Sequence, residues 1–406
     1  MRVALIAAHY PPMRTSAAVQ MHDLAREFDR QGHEVVVIAP TVGLGASWST
    51  ERLDGVTVLR VDAPRSADLG YVRRTIGELV APLVAVKCLR KSPYARTPWD
   101  LVAWYSPTIF HGPLIAYLKQ TTDAHAYLIL RDIFPEWAVD LGILRKGPVY
   151  AFLKAIANLQ YWVADTIGVQ TPSNLAYLSG WRKAGRRELE VLQNWQRPSP
   201  DIGSSIDISR TPLAGRAILA YVGNMGVAQG MDILIDLAEA MAGREDVGFV
   251  FVGRGSEVER LRADAARRGL TNVLFFEEVD SGEMPGLLAQ CHVGLLTLDP
   301  RHRTHNIPGK FLTYLLAGVP TLARVNADTD LQHLIEQEDV GRVCTGDDAQ
   351  VMKRLAEELL GTTLEQQAMA QRCRTLARRM FSPAATVTQM VAAATARTAP
   401  APAAPQ

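Results

Sequence analysis

The same order of a buried strand, a turn and a helix begins each half of the chain. The apolar run and turn at Arg2–Pro12, RVALIAAHYPP, lead into a helical pattern over Ala17–Gln31, and Ala217–Gly230, AILAYVGNMGVAQG, repeats this plan. Short Val/Ile/Leu runs then alternate with helical periods, which is typical of parallel sheets covered on both faces. The predicted fold class is α/β, with two doubly wound, Rossmann-like domains.

Further apolar runs supply the remaining predicted strands. They are Glu34–Ala39, Asp100–Trp104, Tyr127–Leu130 and Thr166–Gln170 in the first half, and Gly248–Val252, Val273–Phe276, Val293–Thr297 and Pro320–Arg324 in the second. A chain of 406 residues is too long for one core. The polar, Ser- and Pro-rich residues 196–213 are therefore interpreted as a linker between domains over 1–195 and 214–381. The Ala/Thr/Pro-rich residues 395–406 are expected to be a disordered tail.

Composition narrows the function classes. The net charge of +1 divides into +6 over residues 1–200 and −5 over the rest, so the two halves are expected to face different partners. The four cysteines lack C-x-x-C spacing, which predicts reduced thiols and neither a zinc site nor a disulfide framework. The chain begins directly with a strand, and no apolar run approaches ~20 residues, so we expect neither a signal peptide nor a transmembrane helix. The expected location is the cytoplasm.

A single lysine at a predicted helix start is the strongest chemical signal. In THNIPGKFLTYLLAGVP, Pro308 and Gly309 form a turn into a helix that ends at Gly318. Lys310 then lies in the first turn, where the helix dipole disfavours a cation unless it meets an anion such as phosphate. The alternative is a solvated lysine on an ordinary helix.

Glycines after predicted strands give weaker signals for a phosphate site. Gly223 and Gly226 lie between a strand and a helix, where a bare backbone can approach a phosphate. Gly253 and Gly255 follow another strand and fit a tight turn equally well. In sheets of this class, ligands bind at the carboxyl ends of the strands, where the strand order reverses.

The chain resembles glycosyltransferase family 4, a retaining family of GT-B fold, and within it the bacterial surface-polysaccharide L-fucosamine transferase (WbuB-like) group. Five motifs carry the resemblance over residues 1 to about 395: DIFPEW at Asp132–Trp137, QTPSN at Gln170–Asn174, VLQNW at Val191–Trp195, YVGNMGVAQG and IPGKFLTYLLAGVP. The resemblance implies transfer of a sugar from a nucleotide donor on the second domain to an acceptor on the first, across a cleft. It also implies that a helix over about 382–394 packs back on the first domain.

The resemblance also implies a set of donor contacts. They are Gly223, Asn224, Met225, Gln229, Gly253, Arg254, Glu278, His305, Asn306, Ile307, Pro308, Gly309, Lys310, Thr313 and Tyr314. Relatives have an Arg and Lys pair where this chain has Asn224 and Gln229, and two glutamates where it has His305 and Thr313. Lys310 is therefore expected to be the main cation at the diphosphate, helped by Arg254, Arg301 and Arg303. Thr313 or Tyr314 is expected to hold the ribose.

On the acceptor side the candidates are Tyr105, His111 and Asp132, with Arg14, Thr15 and Ser16 as loop contacts. Relatives often place a histidine near the reacting carbon, and the matching position here is Tyr105, with His111 nearby. Asp132 follows a strand and could deprotonate an acceptor hydroxyl or cap the next turn. We expect no metal and no cofactor besides a nucleotide sugar, expected to be UDP-linked.

Residues 71–96 combine an apolar stripe with a basic face. Arg73, Arg74, Lys87, Arg90, Lys91 and Arg96 lie in this stretch with almost no acid. The pattern indicates a peripheral helix on the anionic inner face of the cytoplasmic membrane, near a lipid-linked glycan acceptor, or else a core-facing helix with a solvated basic face. No nucleic-acid module is evident. A GT-B epimerase or hydrolase and a non-catalytic scaffold remain the alternative functions.

Overall fold

The computed structural model describes residues 1–13, 15–64, 71–106, 108–140, 142–182, 187–301 and 306–396. The strands are β1 Arg2–Ile6, β2 Glu34–Val42, β3 Trp48–Leu53, β4 Val56–Ala63, β5 Leu101–Ser106, β6 His125–Leu130, β7 Thr166–Val169, β8 Glu188–Val191, β9 Ala217–Val222, β10 Val247–Val252, β11 Val273–Phe276, β12 Val293–Thr297, β13 Thr321–Arg324 and β14 Gly341–Cys344. The α-helices are α1 Ser16–Arg30, α2 Tyr71–Leu89, α3 Gly112–Thr122, α4 Glu136–Asp140, α5 Pro148–Val163, α6 Asn174–Tyr177, α7 Ser179–Arg182, α8 Asp232–Ala240, α9 Val258–Arg267, α10 Met284–Leu288, α11 Gly309–Ala317, α12 Asp330–Gln337, α13 Ala349–Leu359, α14 Thr363–Met380 and α15 Pro383–Ala396.

The chain divides into two compact units. Unit 1 comprises Met1–Trp195 with Pro383–Gln406, and unit 2 comprises Gln196–Ser382. The boundary after Trp195 is the one expected from the sequence, but residues 196–213 do not form a free linker. Ile206, Ile208 and Leu213 are buried in the core of unit 2, because this segment packs under β9 and β10.

Unit 1 is built on an eight-stranded sheet in the order β3-β4-β2-β1-β5-β6-β7-β8. All of its strand pairs are parallel except β3 with β4. The sequence did not indicate β3, because WSTERL alternates polar residues that remain exposed or half-buried. Helices α2, α3 and α5 share one core on one face of the sheet, and α1 and α15 cover the other.

Helix α15 returns to unit 1, where a helix over about 382–394 was expected. Val387 and Met390 are fully buried in the core that α1 shares with the sheet. The Gln389 side chain donates a hydrogen bond of 2.9 Å to the carbonyl of Val191. The last turn of the helix reaches Ala396, so it includes the first two residues of the expected tail; residues 397–406 lie outside the described part of the chain.

Unit 2 has a six-stranded, wholly parallel sheet in the order β11-β10-β9-β12-β13-β14. The strand order reverses between β9 and β12, which defines a switch point at their carboxyl ends. The predicted class of two doubly wound, Rossmann-like domains is confirmed. In the described ranges, no helix has the length and apolar character needed to span a bilayer.

Candidate functional site

The switch point of unit 2 brings two loops together. One follows β9 and runs from Gly223 to Gln229, and the other follows β12 and leads to α11 at Gly309. Pro308 caps α11 with an extended backbone, and Gly318 ends the helix in the left-handed conformation at φ 77°. Lys310 is therefore the second residue of α11, in the first turn, as the local pattern predicted.

The loop after β9 is held in place by the loop after β10. The Gly223 amide donates to the carbonyl of Val252 at 2.9 Å, and the Met225 amide donates to that of Arg254 at 2.8 Å. Gly253 has φ 148°, and a Cβ atom there would overlap the carbonyl oxygen of Gly223. Glycine at this position lets the two backbones touch, so its role is packing between loops as well as a turn.

Asn224 and Gln229, which replace the expected basic pair, bond to each other. The Gln229 carbonyl oxygen accepts from the Gly226 amide at 2.9 Å and from the Asn224 side-chain amide at 3.2 Å. The Asn224 backbone carbonyl accepts from the Tyr221 hydroxyl at 2.6 Å. The backbone N–H of Asn224 has no hydrogen bond to any described residue, so it is available to an anion.

Lys310 lies over an aromatic ring and lacks a carboxylate partner. Its Nζ is 3.6 Å from the ring centroid of Tyr221 and donates a hydrogen bond to the Tyr221 hydroxyl. Burial lowers the pKa of Lys310 to about 7. Within the described residues no Asp or Glu pairs with this amine. The side chain is thus a partly buried cation, not the solvated lysine of the alternative interpretation, and an added anion would favour its charged form.

The other expected cations near the site are already paired. Arg254 forms an ion pair of 3.1 Å with Glu278, and both side chains are more than half exposed. Arg301 forms two hydrogen bonds to the carboxylate of Asp299, at 2.9 and 2.7 Å. Arg303 and His305 lie outside the described residues. Lys310 therefore stands apart from these arginines as a cation without a counter-charge.

Three of the expected donor contacts have side chains buried in the core, and the expectation that Tyr314 contacts the ribose is corrected. The Tyr314 hydroxyl is fully buried, donates to the carbonyl of Leu295 at 2.9 Å and accepts from the Val222 amide at 3.1 Å. A ribose cannot reach it. Its ring packs where a Cβ on Gly294 would overlap it, so Tyr314 joins α11 to the centre of the sheet. Ile307 and Met225 are likewise buried core side chains, and only their backbone could face a ligand.

The remaining donor candidates stay near the start of α11. The Thr313 hydroxyl bonds to the Gly309 carbonyl at 3.2 Å and to the Gln196 side-chain amide at 3.1 Å, so a ribose would have to displace Gln196. The Asn306 side-chain oxygen is buried and has no hydrogen-bond partner in the described structure. Asn306, Pro308 and Gly309 therefore stay predictions for the donor site, as do Gly223 and Gln229.

Unit 1 has its own switch point, between β1 and β5, and a cavity of about 390 Å³ lies there. The cavity is lined by the loop after β1, by the segment from Tyr105 to Leu114 and by one face of α2. His111 and Tyr105 both border it. The structure therefore brings together two of the three acceptor-side candidates, whereas Asp132 is not among the lining residues.

Tyr105 and His111 are poor proton acceptors in this setting. The Tyr105 hydroxyl donates to the Gln20 side-chain oxygen at 2.7 Å, and burial raises the pKa of Tyr105 to about 12. Burial lowers the pKa of His111 to about 4, so its imidazole is neutral at pH 7. Its Nε2 atom is buried with no hydrogen-bond partner in the described structure. His111 is suited to exchange one hydrogen bond with a ligand.

Asp132 follows β6 and lies next to Arg131 in the chain. Burial raises the pKa of its partly buried carboxyl, which the neighbouring Arg131 partly offsets. No described residue donates a hydrogen bond to the carboxylate. The alternative role as a helix cap gains no support, because α4 begins at Glu136 and no capping bond from Asp132 is found. Glu136 itself forms an ion pair with Lys154.

The comparisons with known proteins agree with this geometry. Residues 207–380 match the family described as glycosyl transferases group 1. The match covers less than half of the 406 residues. The predicted enzyme class, a glycosyltransferase, is confirmed by this domain.

Two curated relatives and one solved structure extend the group 1 comparison. The chain is 24% identical over 246 residues to WbjE of Pseudomonas aeruginosa, a probable glycosyltransferase, which covers 57% of this chain and 59% of WbjE. It is 24% identical over 376 residues to WcaI of Escherichia coli (strain K12), named as a colanic acid biosynthesis glycosyl transferase, covering 83% and 86% of the two chains. The structure of Anabaena Alr3699/HepE in complex with UDP and glucose superposes with a TM-score of 0.66 at 18% identity, covering 98% of this chain and 100% of that one.

One residue next to the candidate site, Arg131, was not identified from the sequence. Arg131 is buried, donates to the carbonyls of Leu192 and Gln193 at 2.6 and 3.1 Å, and lies 4.8 Å from the ring centroid of Trp195. It ties the end of β6 to the segment Leu192–Trp195. An arginine directly after a buried strand was the available signal.

Of the expected loop contacts Arg14, Thr15 and Ser16, the two described residues, Thr15 and Ser16, do not border the cavity. The Thr15 hydroxyl accepts from the Ala18 amide at 3.2 Å and so caps α1. It also lies 3.3 Å from Nδ1 of His9. Ser16 is the exposed first residue of α1, and Arg14 lies outside the described residues.

Proposed function

We propose that this chain is a retaining glycosyltransferase of family 4 type that moves a sugar from a UDP-linked donor to a lipid-linked glycan or polyprenyl-diphosphate acceptor. The sugar is of the N-acetylated amino sugar class that includes L-fucosamine, and the product belongs to a surface polysaccharide such as O-antigen or capsule. The five motifs that carry the family resemblance support this assignment of the reaction, as does the name of WcaI. HepE, which shares the fold, was solved with UDP and glucose.

The observation that supports the donor half of the proposal is the amine of Lys310 at the switch point of unit 2, which no described carboxylate pairs. A nucleotide diphosphate brings negative charge to a place that has one partly buried cation and an open backbone amide at Asn224. Charge on the diphosphate grows as the sugar leaves, so a donor fixed at this point stabilises the transition state more than the ground state. No metal is needed in this proposal, because Lys310 supplies the counter-charge.

Lys310→Ala is expected to lower turnover about a hundredfold to a thousandfold, the usual effect of removing one preorganised donor aimed at developing charge. It should also weaken UDP more than uridine. The measurement is release of UDP and formation of glycosylated lipid over a panel of UDP-sugars, with and without EDTA. Lys353→Ala, a change of the same type on α13, is the matched control and should behave as wild type.

Turnover and UDP affinity of Lys310→Ala that both stay within about threefold of wild type would place the phosphate site elsewhere. The same assay separates the alternatives. UDP release without glycosylated lipid would indicate a hydrolase, and interconversion of the donor sugar would indicate an epimerase. UDP-sugar binding without any turnover would indicate a scaffold.

Asp132 is the proposed base on the acceptor side. Asp132→Asn should lower kcat about a hundredfold to ten-thousandfold. Because a carboxyl must be ionised to accept a proton, and burial raises its pKa, the wild-type rate should rise with pH through that raised pKa. The variant should lose this limb of the kcat–pH profile. Asp140→Asn, on the exposed end of α4, is the control, and equal pH profiles for Asp132→Asn and wild type would exclude Asp132.

Membrane association is the third part of the proposal. Ile76 and Leu83 on α2 are 55% and 60% exposed, although both are large and apolar. Arg73, Lys87 and Arg90 on and next to α2 are exposed as well. A second apolar ridge, which the sequence did not indicate, runs along α5 through Phe152 and Trp162. Both helices pack on α3 on the same face of the sheet, which supports the proposal that their outer sides together contact anionic lipid.

Reversal of charge beside α2 should release the protein from anionic vesicles. Each Lys or Arg near such a surface contributes about 1 kcal/mol, so Arg90→Glu with Lys91→Glu should lower vesicle affinity more than tenfold. Lys353→Glu with Arg354→Glu makes the same charge change in unit 2 and should have little effect. Cosedimentation at low and high salt measures both. Vesicle binding that is unchanged by the Arg90→Glu and Lys91→Glu substitutions and also unchanged by salt would contradict the membrane role of α2.

A further inference from the structure

The cavity of unit 1 has walls that are mainly apolar. Alanine, proline and larger apolar side chains from every bordering element line it, among them Ala17, Met21, Ala81, Phe110 and Trp137. Its volume of about 390 Å³ is in the range of pockets that enclose small organic ligands. Water in such a space has few partners, so an apolar group would replace it favourably.

The polar groups at the cavity are few and mostly engaged. Arg74 bonds to Glu78 at 2.9 Å, and Tyr105 donates to Gln20 at 2.7 Å. Nε2 of His111 differs from these groups, because it is buried without a partner in the described structure. A hexose has hydroxyls on every side, and each would lose its hydrogen bonds to water here without replacement. The walls therefore disfavour a bare sugar ring.

A basic group stands at the opening. Arg74 is exposed yet borders the cavity, and its charge contributes, after burial, to a lowered pKa of His9, which lines the same space. An anion beside these groups would be stabilised by the guanidinium and by imidazole N–H donors. Glu78 holds the guanidinium when no anion is present. The Arg74 guanidinium and the apolar walls thus belong to the same cavity.

Helix α2 connects this pocket to the proposed membrane surface. Its inner side supplies Arg74, Ala81 and Ala85 to the cavity wall, while Ile76 and Leu83 point outward and are exposed. A lipid that leaves a bilayer on the outer side of α2 has to travel only the width of one helix. We propose that the cavity binds the first part of an isoprenoid chain, with its phosphate or diphosphate at Arg74, His9 and His111. This assignment rests on the proposed function and names the part of the acceptor that unit 1 holds.

The test uses the whole chain without membranes and three probes: farnesyl diphosphate, inorganic diphosphate and farnesol. We expect farnesyl diphosphate to bind at least tenfold more tightly than either of the others in calorimetry or equilibrium dialysis. Ala81→Trp and Ala17→Trp each place an indole in the cavity from a half-buried wall position and should weaken farnesyl diphosphate at least tenfold. Val19→Trp adds the same ring to the exposed side of α1 and should stay within threefold of wild type.

A series of isopentenyl, geranyl and farnesyl diphosphate on the wild-type chain guards against variants that fail to fold. Affinity should rise with chain length; a flat series overturns the proposal. The proposal is also overturned if farnesyl diphosphate binds no more tightly than inorganic diphosphate. It is overturned as well if the affinity of both cavity variants for farnesyl diphosphate stays within threefold of wild type. Binding of farnesol as tight as that of farnesyl diphosphate overturns the role of Arg74, His9 and His111.

The proposed function and this inference fail in different ways. Suppose that the protein transfers sugar from a UDP-sugar to a lipid-free acceptor, and that diphosphate binding does not depend on isoprenoid chain length. The cavity assignment is then wrong, and the protein is still a glycosyltransferase. If affinity rises with isoprenoid chain length but the protein transfers no sugar, the cavity assignment is supported and the proposed function is wrong.

Discussion

Parallel strands whose two faces are buried under helices have only their ends free for polar chemistry, and both units obey this constraint. In unit 2 the switch point between β9 and β12 is occupied by the glycine loop at Gly223 and by Lys310. In unit 1 the switch point between β1 and β5 contains the cavity with His111. Side chains elsewhere in these sheets serve packing, which is why Tyr314, one turn beyond Lys310 on α11, is a core residue.

The two sites differ in charge and polarity, and the ligands proposed for them differ correspondingly. Unit 2 keeps an amine partly buried against Tyr221 with no carboxylate in the described residues, which costs stability until an anion arrives. Unit 1 keeps a neutral imidazole and an apolar wall, which suits a chain with a single charged end. Burial raises the pKa of the Asp132 carboxyl, and that direction favours its proposed role as a proton acceptor.

Local patterns predicted much of the fold and the place of Lys310, because strand runs, caps and glycines act over a few residues. The contact of Lys310 with Tyr221 spans 89 positions, and no local pattern encodes it. Tyr314 was assigned to ribose because helical spacing does not tell which face of α11 meets the sheet. The strand β3 and the exposed ridge of α5 escaped prediction since neither shows a clean amphipathic period: β3 is polar on both sides, and α5 is apolar on both.

The central claim is that Lys310 meets the donor diphosphate as a cation, and proton uptake on binding tests it directly. Free Lys310 has its pKa lowered to about 7 and is mostly neutral at pH 8, while a bound diphosphate favours the charged amine and raises that pKa. Calorimetry of UDP binding at pH 8 in buffers of different ionisation enthalpy should therefore show uptake approaching one proton per UDP, and Lys310→Met should abolish it. The same binding enthalpy in all buffers for wild type, or equal proton uptake by the variant, would contradict the account.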